Sequence, residues 1–179
     1  MKKYLSGGWA VLKNYIFAMI FFYIFFVGFY SRASLFSILI FIVMIFLIYY
    51  ELTHLAGVDK RRYGVVKPID GVIYALIAIA PMVLIQIVIA FLNLDIQYVN
   101  FDILKVNLIK GLAAPMLFIA KLGGYKLPGY IAAWATIVLV AYLGYLSGYK
   151  GFDLNAYTRR LLGLQPKKRP TTNKKRRFW

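Results

Sequence analysis

Long apolar stretches, separated by short polar connections, dominate the pattern of this chain. Four stretches carry no charged residue: 15–30, 33–50, 71–94 and 127–149. A helix that crosses the hydrocarbon core of a bilayer needs about 20 predominantly apolar residues, and each stretch is close to that length. The pattern therefore predicts an all-α, polytopic integral membrane protein with a four-helix transmembrane bundle.

Signals at the ends of these stretches set the expected bounds of the helices. We expect transmembrane spans at about 9–30, 33–56, 69–93 and 128–149. Because almost nothing separates the first two spans, they should form an antiparallel helical hairpin. Gly57 suits a left-handed C-cap of the second helix, and Pro68 suits the first turn of the third. The spans together define a transmembrane domain within residues 1–150.

The segment between the third and fourth spans, residues 94–126, has a mixed character. Residues 102–121 are long enough to cross a bilayer, but Lys110 would then lie near the midplane at a cost of about 2.5–3.5 kcal/mol. Asn107 and Pro115 also disfavour a crossing. We expect an extra amphipathic segment, interfacial or re-entrant, that is kinked at Pro115.

The distribution of charge predicts how the chain is oriented. The chain has 22 Lys+Arg against 6 Asp+Glu, for a formal net charge of +16. With four spans, 17 of the 22 basic residues share one side: the N-terminus, the 57–68 loop and the C-terminal tail. The positive-inside rule places that side in the cytoplasm. We therefore expect a multi-pass protein of the cell (inner or plasma) membrane with both termini cytoplasmic.

After the fourth span the composition changes. Residues 151–164 read as an amphipathic interfacial helix, and residues 165–179 as a disordered polybasic tail. Basic residues beside a membrane attract anionic headgroups, so we expect lipid contact and disfavour nucleic acid as the partner. The residues expected at anionic lipid are Lys60, Arg61, Arg62, Arg159, Arg160, Lys167, Lys168, Arg169, Lys174, Lys175, Arg176 and Arg177.

The inventory of reactive side chains argues against catalysis. The chain has no cysteine, one histidine and one glutamate, which excludes disulfides, thiol nucleophiles, cysteine-ligated metals and H-E-x-x-H zinc sites. No phosphate-binding glycine loop occurs, and we expect neither a cofactor nor a metal. Glu51 and His54, on one helix face, and Gln86 are candidates for a polar site. A hydrolase that uses Ser147 with His54 is a weak alternative.

Small residues at helical spacing predict where helices pack closely. Gly144 and Gly148 form a G-x-x-x-G motif in the fourth span, with Ala141 one turn earlier. The third span carries a comparable face. The expected packing residues are Gly71, Ala75, Ala78, Ala141, Gly144 and Gly148. We expect the third and fourth spans to pair through these faces, and a face left free for a partner is the alternative.

These features favour a non-enzymatic membrane protein that acts through interaction, as an accessory subunit or as a structural or immunity-type factor. Its partner would be another membrane protein or a second copy of the chain. A small-molecule transporter or transporter component, with Gln86, Pro81 and Pro115 near its site, is the first alternative. A holin-like pore-forming oligomer is a further one.

Overall fold

The computed structural model describes residues 2–26, 28, 32–64, 66–92, 100–151 and 163. The regular elements of these residues are all helical, which confirms the all-α prediction. The helices are α1 (Lys2–Phe26), α2 (Ala33–Tyr63), α3 (Asp70–Phe91), α4 (Phe101–Leu112), α5 (Leu117–Leu122) and α6 (Leu127–Tyr149), with a 3₁₀ turn (Ala114–Met116) between α4 and α5.

Four helices in the described part of the chain, α1, α2, α3 and α6, are long and apolar enough to cross a membrane. This confirms the predicted number of such helices. The segment before α6 differs, because α4 and residues 114–122 meet at an angle of 79°. We call residues 113–116 the break. The bend at the break matches the expected kink at Pro115.

The helix bounds depart from the sequence prediction at the ends of α1 and α2. α1 begins at Lys2 rather than near residue 9. Gly57 as the C-cap of α2 is wrong, since α2 continues through it to Tyr63. Gly64 ends the helix with φ +71°, and its N–H bonds the carbonyl of Lys60 at 3.2 Å. Tertiary contacts of the last two turns outweigh the modest helix penalty of Gly57.

The four long helices pack in the ring order α1, α2, α6, α3. α2 turns a continuous stripe toward the centre of this ring, at spacings of three and four residues. Its buried members are Phe36, Ser37, Ile40, Met44, Ile48, Leu52, Ala56 and Asp59. The polar residues Ser37 and Asp59 sit near the two ends of an otherwise apolar stripe.

The two ends of the bundle have different character. At one end Lys3 contacts Asp70, and Asp59 contacts Tyr145, so the start of α1, the α2–α3 connection and the end of α6 lie together. We call this the basic end, because Lys60, Arg61, Arg62, Lys67 and Lys150 are exposed there. α4, the break and α5 pack toward the opposite end, beside the beginning of α2.

Candidate functional site

A buried carboxyl group ties three helices together at the basic end. Asp59, in the last two turns of α2, is 5% exposed. It accepts a 2.6 Å hydrogen bond from the Tyr74 hydroxyl of α3 and a 2.9 Å bond from the Tyr145 hydroxyl of α6. The two phenol rings meet edge to face, with centroids 5.5 Å apart. A buried carboxyl group needs such partners, because desolvation without them is costly.

A second buried carboxyl group joins α1 to this arrangement. Asp70, the first residue of α3, is 4% exposed. It pairs with the Lys3 ammonium at 2.6 Å and accepts the backbone N–H of Lys67 at 3.2 Å. The Tyr4 hydroxyl lies 3.5 Å from its other oxygen, and the Lys3 ammonium also lies over the ring of Tyr63.

These residues form one polar cluster, which we call the Asp59 cluster: Lys3, Tyr4, Asp59, Asp70, Tyr74 and Tyr145. It contains side chains from all four long helices. Close backbone approach supports it, since a Cβ on Gly7 would meet the Tyr74 ring at 2.5 Å. Its carboxyl oxygens accept hydrogen bonds within the cluster, and these bonds tie the ends of the four long helices to one another.

The Asp59 cluster was missed from the sequence. Asp59 falls in the connection predicted at 57–68, and Asp70 falls at the start of the third predicted span, so nothing in the pattern joins the two. A usable signal existed, because Leu52, Ala56 and Asp59 follow the i, i+4, i+7 spacing of a buried face. An acidic residue on such a face needs a hydrogen-bond partner. Tyr74, one helical turn after Asp70 in α3, provides that partner for Asp59.

Glu51 and His54, predicted as a polar site, are not joined. Glu51 is half-buried and His54 is exposed. No side-chain hydrogen bond or ion pair links either of them to another described residue. The Ser147 hydroxyl accepts a 2.6 Å bond from the Tyr49 hydroxyl. His54 makes no bond to Ser147 in the described part of the chain, so the hydrolase arrangement is not assembled.

Gln86 of α3, the third predicted polar residue, forms hydrogen bonds to both α6 and α4. These bonds lie toward the end of the bundle that contains the break. The Gln86 Oε1 accepts a 3.0 Å bond from the indole N–H of Trp134, and its Nε2 donates to the carbonyl of Ile109 at 3.3 Å. Gln86 therefore links α3 to both α6 and α4. This arrangement fits the interhelical bond expected of a polar side chain in a transmembrane helix.

The break itself is buried and hydrogen-bonded. Ser37 of α2 donates to the carbonyls of Ala114 and Pro115, each at 3.1 Å, and accepts the N–H of Phe118 at 3.4 Å. The Tyr15 hydroxyl of α1 bonds the carbonyl of Leu112. Irregular backbone at membrane depth is tolerated where protein satisfies its polar groups in this way.

The predicted small faces pack inside the chain, and the predicted pairing of α3 with α6 is found at Gly71 and Ala141 but not at the G-x-x-x-G motif. A Cβ on Gly144 would lie 2.9 Å from the carbonyl of Tyr49, and one on Gly148 would collide with the carbonyl of Thr53. The G-x-x-x-G motif therefore faces α2, which corrects the expectation that it faces α3. Gly71 of α3 instead meets α6 at Ala141 and Tyr145.

The predicted lipid contacts divide between described and undescribed parts of the chain. Lys60, Arg61 and Arg62 are exposed in the last turn of α2. The two segments predicted at 151–164 and 165–179, except residues 151 and 163, lie outside the described residues. The predicted contacts Arg159, Arg160, Lys167, Lys168, Arg169, Lys174, Lys175, Arg176 and Arg177 lie there too.

The described residues hold no group of three or more His, Cys, Asp or Glu side chains placed to bind a metal ion. Comparison of the chain with known protein families, with curated proteins and with solved structures finds no match.

Proposed function

We propose that this chain is a multi-pass protein of the cell membrane that acts without catalysis, by binding another membrane protein as an accessory subunit or structural factor. The observation that carries the proposal is the internal pairing of polar side chains: three of the four that are buried in the described residues, and the half-buried Gln86. Asp59, Asp70, Gln86 and Ser37 each bond a neighbouring element. These polar groups fix the helices to one another, so they are not free to bind a substrate.

The length of α2 supports a membrane setting. Its 31 residues make a rod about 46 Å long, whereas the hydrocarbon core is about 30 Å thick. If α2 enters the core near Ala33, its last turns project beyond the core. The Asp59 cluster then lies at the level of the headgroups, where charged groups are far less costly than at the midplane.

The charge of the basic end supports a cytoplasmic location for the termini. Lys60, Arg61, Arg62, Lys67 and Lys150 are exposed around this end. Basic residues next to membrane spans favour the cytoplasmic side, and they attract anionic headgroups of the inner leaflet. The side chains of Lys60, Arg61 and Arg62 provide this contact in our proposal.

A transporter component is the second candidate, because one observation favours it. The 79° bend between α4 and residues 114–122 is a broken helix, and broken helices line substrate sites in many transporters. Pro81 inside α3 adds a second irregular point. The break is filled by buried Ala114 and Met116 and is satisfied by Ser37, which favours a structural role for it.

Native mass spectrometry of the tagged chain, extracted gently from its own membrane, tests the proposal. We expect a second protein in fixed ratio. An unrelated four-span protein with the same tag, expressed at the same level, is the control for proteins captured by the tag or the detergent. A lone chain would contradict the proposal, and a homo-oligomer would favour the pore-forming alternative. Stabilisation by one metabolite in a thermal-shift panel would favour transport.

A further inference from the structure

An apolar groove runs between α1 and α2, next to their connection. Its walls include Phe17, Phe21 and Phe25 of α1 and Phe36, Leu39 and Val43 of α2. The cavity has a volume of about 350 Å³, and all its lining residues are apolar. Five of the six wall residues are substantially exposed, while Phe36 is 9% exposed and lies deeper.

Aromatic contacts line and underlie the groove. The rings of Phe17 and Phe21 meet in a tilted arrangement with centroids 5.0 Å apart, and those of Phe21 and Phe25 with centroids 5.7 Å apart. Underneath, Phe22 of α1 packs against Phe36 of α2 at 5.6 Å. Contacts of this kind fix side-chain positions beyond what apolar burial alone achieves. The groove is therefore a preformed feature of the α1–α2 hairpin.

The dimensions of the groove fit one hydrocarbon chain. A volume of about 350 Å³ corresponds to roughly a dozen water-sized groups, at about 30 Å³ each. The eleven residues from Ala33 to Val43 rise about 16 Å along α2, which is close to half of the 30 Å hydrocarbon core. This is the depth of one leaflet.

A basic residue lies one helical turn before the first α2 residue of the groove, next to the α1–α2 connection. Arg32 directly precedes α2, and Phe36 lies four residues further along. Arg32 is exposed and forms no ion pair with another described residue. Guanidinium groups bind phosphate oxygens in a two-point geometry, so Arg32 is placed to hold a phosphate at the level of the headgroups.

We infer that the α1–α2 groove is a binding site for one phospholipid, with an acyl chain against Phe21, Leu39 and Val43 and the phosphate on Arg32. The inference rests on the membrane insertion that is part of the proposed function. It does not depend on the protein partner. A retained lipid lies in the leaflet opposite the basic end and acts as a fixed part of the surface of the hairpin.

Lipid retention by the purified full chain tests the site. The protein is delipidated in detergent, phosphatidylglycerol is added, and native mass spectrometry counts the bound lipids. Val43→Trp fills the groove, and Val106→Trp, at a similarly exposed apolar position of α4, is its control. Arg32→Gln removes the phosphate contact, and Lys126→Gln, an exposed cation at the same end of the bundle but outside the groove lining, is its control.

We expect one retained lipid in the wild type and in both controls. Val43→Trp should abolish retention, and Arg32→Gln should weaken it about fivefold, as loss of one basic contact to an anionic lipid implies. Equal retention in all five proteins would overturn the inference, as would a second protein chain displaced by Val43→Trp. If Val43→Trp does not fold, Arg32→Gln and its Lys126→Gln control decide. Lipid adducts and protein partners have different masses, so this inference and the proposed function can fail separately.

Discussion

The Tyr74 hydroxyl donates a 2.6 Å hydrogen bond to the carboxyl group of Asp59, although only 15 residues and a tight connection separate them. The bond fixes the angle at which the chain leaves α2 and enters α3. Tyr145 of α6 reaches the same oxygen of Asp59 from the other side. A single carboxyl oxygen thus sets the register of three helices.

Replacing Tyr145 with Phe should destabilise the bundle. The change removes a bond to a buried carboxyl group while it keeps the ring, and bonds to charged groups contribute about 1.5–3 kcal/mol. For a chain of this size each kcal/mol lowers the melting temperature by about 2–4 °C. Thermal unfolding in detergent measures the effect. Tyr142→Phe, at a more exposed position of α6, is the control and should leave the melting temperature unchanged.

Two glycines should respond to alanine in opposite directions. Gly148→Ala should lower the melting temperature, because the new Cβ would meet the carbonyl of Thr53 and lie 2.8 Å from Ala56. Gly57→Ala should raise stability by about 0.5–1 kcal/mol, since Gly57 is helical and faces open space. Both variants are compared in one thermal-unfolding series. A stabilising Gly148→Ala would show that α2 and α6 approach less closely than described.

Loss of the Ser37 hydroxyl should open the break. Ser37→Ala leaves the carbonyls of Ala114 and Pro115 without this donor, and an unsatisfied buried group costs about 1–3 kcal/mol. Hydrogen exchange should accelerate in residues 113–118 with little change in α3. Ser34→Ala, one turn earlier in α2, is the matched control. Unchanged exchange in Ser37→Ala would mean that the break does not depend on this contact.

The amide of Asn14 should be dispensable. Its Nδ2 is buried and has no hydrogen-bond partner among the described residues. Because an unpaired buried donor is costly, Asn14→Leu should raise the melting temperature. A lower melting temperature would instead indicate that Asn14 is satisfied by a bound water or by a partner molecule, and hydrogen exchange of α1 would then locate the site.

Single cysteines should reveal the course of the segment around the break. The chain has no cysteine, so each introduced thiol is unique. We expect Asp102→Cys and Lys126→Cys to react with an impermeant maleimide from the same side of the membrane, and Lys60→Cys and Lys150→Cys from the other. Labelling of residues 102 and 126 from opposite sides would mean that the segment crosses the bilayer. Permeabilised cells, in which all four should react, are the control.

The part of this fold that could be predicted is the part set by the lengths of the charge-free apolar stretches. The stretches that carry no charge account for α3 and α6 almost residue by residue, because a long apolar run has few alternatives to a helix. The end of α2 could not be predicted in this way. Gly57 suggested a stop, but burial of Asp59 between Tyr74 and Tyr145 extends the helix, and that contact involves residues distant in sequence.

The candidate sites could be predicted only where a single residue type by itself requires a particular contact, such as a hydrogen bond. Gln86 was predicted as a polar-site residue because an amide in an apolar span needs a hydrogen-bond partner, and it bonds both the Trp134 indole and the Ile109 carbonyl. The prediction that the G-x-x-x-G motif faces α3 was wrong, since it faces α2. Small residues predict that some helix approaches closely, but they do not indicate which one. The role of Ser37 at the break could not be derived, since nothing local to Ser37 refers to residues 114 and 115.

The segment formed by α4, the break and α5 widens the bundle at one end only. Once inserted, the protein would displace more lipid from the leaflet on that side than from the leaflet beside the basic end. Such a molecule has the cross-section of a wedge, and a wedge is accommodated with less elastic strain where the leaflet at its wide end is on the convex side of the bilayer. We therefore expect the chain to concentrate in membrane of one sign of curvature, a preference that shape alone would impose.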